Sequence, residues 1–141
     1  MSTRFLRIAL CCALTAGACS GDETVGSSNF LAGTYEATLF VVTPTGQSPI
    51  DVLAAGGSLS ITVEASGATS GTLFVPASVT GEAPLTASMA GTASINALTV
   101  EFDQTADTFV RDLTWYREGT ALTVVNQSAG GATFSISLVR Q

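Results

Sequence analysis

Apolar and polar residues alternate with a period of two along most of the chain after residue 30. Successive side chains of a β-strand point to opposite faces, so this alternation predicts strands with one buried face. Stretches rich in turn-forming residues separate the alternating segments, and most are short enough for hairpins. The predicted buried faces consist of Tyr35, Ala37, Leu39 and Val41; Leu59, Ile61 and Val63; Leu73 and Val75; Leu98, Val100 and Phe102; Phe109, Leu113 and Trp115; Leu122 and Val124; and Phe134, Ile136 and Leu138.

A weaker strand within residues 85–93 brings the expected total to eight antiparallel strands in up-and-down order. Residues 48–57 depart from the period of two. They begin with Ser48 and Pro49, carry Asp51 near the start and end on two glycines, which are typical end signals of a short helix. The sequence therefore predicts an all-β protein: an eight-stranded antiparallel up-and-down β-barrel with one short helix between strands 1 and 2.

The start of the chain is organised differently. Arg4 and Arg7 precede an apolar run at residues 8–15, and small residues stand before Cys19. This is the layout of an export signal, and the apolar run is too short to span a bilayer. Residues 14–19, Leu-Thr-Ala-Gly-Ala-Cys, resemble the lipobox of bacterial lipoproteins, whose Cys is acylated on its thiol and becomes the new N-terminus. Cleavage by an ordinary secretory peptidase is the alternative.

The lipobox-like run divides the chain into three parts. Residues 1–18 are the predicted signal peptide, residues 19–29 a lipidated Cys19 with a small, polar, flexible tether, and residues 30–141 a single barrel domain. Cys11 and Cys12 leave with the signal, so no disulfide is expected within the domain. Ser20, rather than an acidic residue, follows the Cys, which resembles lipoproteins sorted to the outer membrane. We expect a lipid-anchored envelope protein there, on the periplasmic or surface face, rather than at the inner membrane.

Charge limits the partners of the mature domain. Loss of Arg4 and Arg7 leaves three arginines against all eleven acidic residues, a net charge of minus eight, and the chain has no lysine or histidine. Such a surface repels phosphate backbones, so no nucleic acid is expected as a partner. Contact with anionic headgroups is disfavoured for the same reason. The acyl chains must therefore hold the protein at the membrane.

The first and last predicted strands carry a family resemblance. Gly33-Thr34-Tyr35 and Arg140 occupy the places of the lipocalin Gly-x-Trp and of the Arg that packs over it. Over most of residues 33–141 the chain resembles a minimal, lipocalin-like bacterial envelope lipoprotein, with Tyr in place of Trp. The resemblance implies that Tyr35 and Arg140 close the barrel, and we expect a cation–π contact between them.

Residue types exclude most catalytic sites. Without histidine, lysine or a second mature cysteine, the domain has no Ser-His-Asp triad, imidazole or thiolate metal site, or Schiff base. Carboxylates remain: Glu64 with Glu101, or Asp103 with Asp107, could form a catalytic pair, and Asp103, Asp107 and Asp112 could bind calcium. Solvent-facing strand and turn positions explain these acids better, so we expect no enzyme, no catalytic residue, no metal and no cofactor.

Arg111 is the residue that does not fit its predicted strand, because it shares the apolar face of Phe109, Leu113 and Trp115. An inward guanidinium needs a partner, either an internal carboxylate or the anionic head of an apolar ligand. These four residues are the candidate ligand site. Two function classes stay open: a barrel that binds a small apolar ligand, possible because eight strands enclose room for one, or a side-chain-filled barrel that contacts an unidentified protein.

Overall fold

The structure, a computed structural model, describes residues 30–141. The predicted signal peptide, the lipidation site at Cys19 and the tether lie outside the described residues. The strands are β1 (Gly33–Pro44), β2 (Ile50–Asp51), β3 (Ser58–Val63), β4 (Ala68–Val75), β5 (Leu85–Ser88), β6 (Gly91–Asn96), β7 (Thr99–Gln104), β8 (Trp115–Glu118), β9 (Ala121–Ala129) and β10 (Ala132–Arg140). The helices are α1 (Ala77–Thr80) and α2 (Phe109–Asp112).

Eight of the strands form a closed antiparallel barrel in the order β1, β3, β4, β6, β7, β8, β9, β10, and β10 pairs with β1 to complete it. β2 pairs with the C-terminal half of β1, and β5 pairs with the C-terminal half of β4. The predicted eight-stranded up-and-down barrel is therefore confirmed, with two short extra strands. Both helices are single turns, and neither has the length or the apolar run needed to span a bilayer.

The predicted helix at residues 48–57 is wrong. Ile50 and Asp51 instead pair with β1, opposite Val42 and Val41, and the amide of Val52 donates to the Phe40 carbonyl at 2.8 Å. The Asp51 side chain accepts the Ala54 amide at 3.1 Å, and the Asp51 carbonyl accepts the Ala55 amide at 3.1 Å, so the chain makes one tight turn here that does not continue into a helix. A two-turn helix is marginal on its own, whereas pairing with β1 satisfies the same backbone groups and buries Val52.

The alternation of β1 changes phase at a register shift between Ala37 and Leu39. An irregularity of this kind moves later side chains to the other face. Phe40 and Val42 are consequently buried, whereas Leu39, which the simple alternation places inside, is exposed.

Two other predicted strands are also modified. The weak strand at residues 85–93 is divided by buried Met89 into β5 and the start of β6, because its first half pairs with one end of β4 and its second half with the other. The predicted strand through Phe109 and Trp115 is the one-turn helix α2 followed by β8.

Close strand packing gives one glycine a structural role. Gly71 lies opposite Ile61 at φ +130, and a Cβ atom there would lie far inside van der Waals contact with the Ser60 carbonyl. Gly46 also has a positive φ, +76, but a Cβ there would meet open space. We expect Gly71→Ala to lower the free energy of unfolding by about 1–3 kcal/mol more than Gly46→Ala. Urea unfolding of both variants measures this difference, and equal losses would show that the contact costs nothing.

Candidate functional site

One end of the barrel is closed by side chains. The β3–β4, β6–β7 and β8–β9 turns lie at this end, together with the start of β1 and the end of β10. The Tyr35 hydroxyl donates to the Leu31 carbonyl at 2.9 Å, and both residues are buried. Arg140 donates to the Ala32 carbonyl at 3.2 Å. Its aliphatic stem covers Gly33, where a Cβ would collide with it.

The opposite end of the barrel is hollow. The β1–β2 turn, the β9–β10 turn, α1 and α2 lie at this end, around a cavity of about 300 Å³. The cavity is lined by Phe40, Val42, Pro44, Val52, Val75, Val79, Thr80, Leu85, Phe109, Gly130, Gly131, Ala132 and Phe134.

Three aromatic rings form part of the cavity wall. Phe109 and Phe134 are stacked, with ring centroids 4.3 Å apart and planes 14° apart. Phe40 also contacts Phe109, with ring centroids 5.9 Å apart and planes 49° apart. The three rings come from three different elements, α2, β10 and β1. Their contacts therefore hold α2 against the β1–β10 strand pair that closes the barrel. Aromatic contacts of this kind contribute about 0.5–1.5 kcal/mol beyond their buried area.

The cavity wall is mainly apolar. Among residues 30–141, Thr80 is the one lining residue with a polar side chain, and its hydroxyl donates to the Ala83 carbonyl at 2.8 Å. No charged side chain of these residues lines the wall. The arrangement therefore suits burial of apolar surface and provides no nucleophile, acid or base to a bound molecule.

The four predicted ligand-site residues are divided between different environments. Phe109 lines the cavity, although from α2 rather than from a strand. Leu113 and Trp115 are buried in the core and do not line the cavity. The Trp115 Nε1 donates to the Val110 carbonyl at 3.2 Å, and its ring meets Phe102 edge-on at 5.6 Å.

Arg111 is not inside the barrel, and this part of the sequence prediction is wrong. α2 turns its side chain outward, where it is 40% exposed and lies 3.6 Å from Asp107. A helical turn buries Val110 and Leu113 and leaves Arg111 and Asp112 in solvent, whereas a strand would bury the guanidinium. Arg111 is therefore not a partner for a ligand head group within the cavity.

Tyr35 and Arg140 are register partners across β1 and β10, the two strands that close the barrel. The cation–π contact expected between them is not formed. In the described part of the chain the cation–π contact is that of Arg117, whose guanidinium carbon lies 5.9 Å from the ring centre of Phe30.

Sequence reasoning missed several cavity residues for identifiable reasons. Phe40 is hidden by the phase change in β1, and Val79 lies in a helix of four residues that has no periodic signal. Leu85 belongs to the weak predicted strand at residues 85–93. The sequence predicts that Phe134 lies on a buried strand face, but gives no signal that places it near a ligand.

Two buried polar side chains lie near α2. Gln104, 2% exposed, ends β7, and Thr108 directly precedes Phe109. Neither end of the Gln104 amide, nor the Thr108 hydroxyl, has a hydrogen-bond partner among residues 30–141. An unpaired buried polar group costs about 1–3 kcal/mol. Neither residue lines the cavity, so both are local polar groups of the core.

Comparison of the chain with protein-family models, with curated proteins and with solved structures finds no match.

Proposed function

We propose that this protein is a lipocalin-like, lipid-anchored lipoprotein of the cell envelope, whose barrel binds a small, uncharged, apolar molecule. The single observation that carries the proposal is the cavity of about 300 Å³ at one end of a closed eight-stranded barrel. Ligand sites in proteins range from about 300 to 1,000 Å³, so this one suits a small occupant.

The lining supports an uncharged, apolar ligand. Burial of apolar surface stabilises a complex by about 25 cal/mol per Å². A charged group would lose its hydration without gaining a partner, because no charged side chain lines the wall. With Arg111 outside the barrel and beside Asp107, a ligand with an anionic head inside the cavity is not expected.

Binding fits the cavity better than catalysis. General acid–base or nucleophilic catalysis needs a titratable or activated side chain within hydrogen-bond reach of the reacting atom. The cavity wall has only the Thr80 hydroxyl, which already donates to a backbone carbonyl. We therefore propose a non-enzymatic carrier or binding protein that needs no cofactor.

The alternative is an interaction protein with a filled barrel. This reading is favoured by the closed half, where buried Tyr35, Ile61, Trp115, Leu122 and Leu138 fill the interior. It predicts that no small apolar molecule enters the other half. The two proposals therefore differ in one measurable property, the occupancy of the cavity.

We expect Val79→Trp to weaken binding of phenylnaphthylamine, a neutral apolar dye, by about tenfold or more, which is about 1.4 kcal/mol. Val79 lines the cavity from α1, and an indole in its place would take up part of the space. The measurement is a titration of the purified barrel followed by dye fluorescence. The sulfonated analogue of the dye should bind more weakly than the neutral one to the unmodified protein.

Val125→Trp is the matched control, because Val125 is 67% exposed on β9 and does not line the cavity. It should bind the dye as the unmodified protein does. Absence of dye binding to the unmodified protein, or equal weakening by both variants, would contradict a ligand in the cavity and favour the interaction protein.

A further inference from the structure

The closed end of the barrel carries an exposed apolar surface next to two arginines. We define the closed-end patch as Phe30, Leu98, Arg117 and Arg140. Leu98 is 68% exposed and Phe30 is 60% exposed, although both are large apolar residues. Arg117 links them, since its amide donates to the Leu98 carbonyl at 2.8 Å and its guanidinium lies over the Phe30 ring.

Charge differs between the two ends of the barrel. Neither Arg117 nor Arg140 forms an ion pair, as the ion pair found within residues 30–141 is that of Arg111 with Asp107. Glu36, Glu64 and Glu118 lie near this end, so its described residues have a net charge of minus one. Asp22 and Glu23 precede Phe30 in the sequence. The cavity end has Asp51, Glu82, Asp107 and Asp112 against Arg111 alone, so it is more negative.

The chain enters the domain at the closed-end patch, because Phe30 lies three residues before the start of β1 at this end of the barrel. The proposed acyl group on Cys19 lies only eleven positions earlier. If residues 20–29 form the flexible tether that their sequence predicts, its mean span is roughly 17 to 19 Å. The anchor therefore holds this end of the barrel within a short distance of the bilayer surface, whereas the cavity lies at the far end of the strands.

The composition of the patch suits a lipid surface. Aromatic and aliphatic side chains enter the interfacial region of a bilayer, and arginine extends its charged head toward phosphate while its stem stays apolar. The negatively charged cavity end would be repelled by anionic lipids.

We propose that the closed-end patch rests on the surface of the membrane that holds the acyl anchor, so that the cavity opens away from the bilayer. This inference rests on the proposed lipid anchor at Cys19. It assigns a direction to ligand exchange: the apolar ligand enters from the aqueous side or from a partner facing that side, and not directly from the underlying lipid leaflet.

The test uses the processed protein, residues 19–141 with the acyl anchor, in phosphatidylcholine vesicles. The vesicles are prepared with and without brominated acyl chains, which quench tryptophan fluorescence at short range. Leu98→Trp places an indole in the patch. Leu39→Trp is the matched control, since Leu39 is 45% exposed on the outer wall, roughly 20 Å along β1 from Gly33. The unmodified protein supplies the background of Trp115, which is buried.

We expect the emission added by Leu98→Trp to be lost largely in brominated vesicles, and the emission added by Leu39→Trp to be retained. Equal quenching of both variants would mean that the barrel lies on its side, and no quenching of Leu98→Trp in vesicle-bound protein would mean that the patch faces water. Either result overturns the orientation. A lipid-independent blue shift that grows with protein concentration would also overturn it, in favour of self-association. Protein that fails to float with vesicles would instead overturn the anchor itself.

Discussion

Replacement of Trp115 with alanine should lower the free energy of unfolding by about 3–5 kcal/mol, the range for deleting a large buried aromatic. The indole is fully buried in the closed half of the barrel and meets Phe102 edge-on. Its Nε1 also donates to the Val110 carbonyl in α2, so the substitution leaves a backbone acceptor without its partner. Urea unfolding followed by circular dichroism measures the loss.

Tyr116→Ala is the matched control for this prediction, since Tyr116 is the next residue of β8 and points outward, 47% exposed. Tyr116→Ala should lower the free energy of unfolding far less than Trp115→Ala does. A loss below about 1 kcal/mol for Trp115→Ala would mean that the closed half repacks around the missing ring, and that it is not a close-packed core.

The barrel could be predicted from sequence because its strands obey one simple rule. In β10, Phe134, Ile136 and Leu138 face the core without interruption, and β3 repeats the pattern with Leu59, Ile61 and Val63. A period of two identifies such strands whichever neighbours they pair with. Sequential hairpins then leave up-and-down order as the simplest topology, and β10 pairing with β1 closes it.

The errors occur where tertiary pairing overrides local signals. Residues 48–57 have helix-end residues at both ends, but β1 offers backbone partners that a two-turn helix cannot match. In α2 the alternation of Phe109, Arg111 and Leu113 suggested a strand. The guanidinium in that apolar face was itself the signal against it, because burial would have required a partner.

The cavity could be predicted only in part. The sequence predicts Phe109 as a ligand contact, and Phe109 lines the cavity. Phe40 also lines the cavity, but only because the register shift in β1 turns its side chain inward. The number and size of Leu and Phe residues in the sequence do not indicate which part of the barrel interior remains empty. The filled and hollow halves differ through β2, β5 and the two helices, which are short elements with weak periodic signals.

Replacement of Cys19 with alanine should abolish acylation, which either releases the protein from the membrane fraction or leaves it there with its signal uncleaved; this is the largest effect expected for any substitution in this chain. One acyl chain gives marginal, reversible binding, whereas two chains hold a protein stably, so loss of the Cys19 thiol would remove the whole of the proposed anchor. The net charge of minus eight left after signal removal provides no electrostatic substitute. Fractionation of cells into membrane and soluble parts, followed by intact mass of the recovered protein, measures the effect.

Cys12→Ala is the control, because Cys12 lies within the predicted signal peptide and should leave both fractionation and mass unchanged. The unmodified protein should be heavier than residues 19–141 by an acylated glyceryl group. The Cys19→Ala protein should be either soluble and unacylated or retained with its signal uncleaved, and its mass distinguishes the two. Recovery of a native chain that starts at Cys19 with an unmodified thiol would show ordinary secretory cleavage. In that case the barrel could still bind its apolar ligand, but the short tether would no longer determine which end faces the membrane.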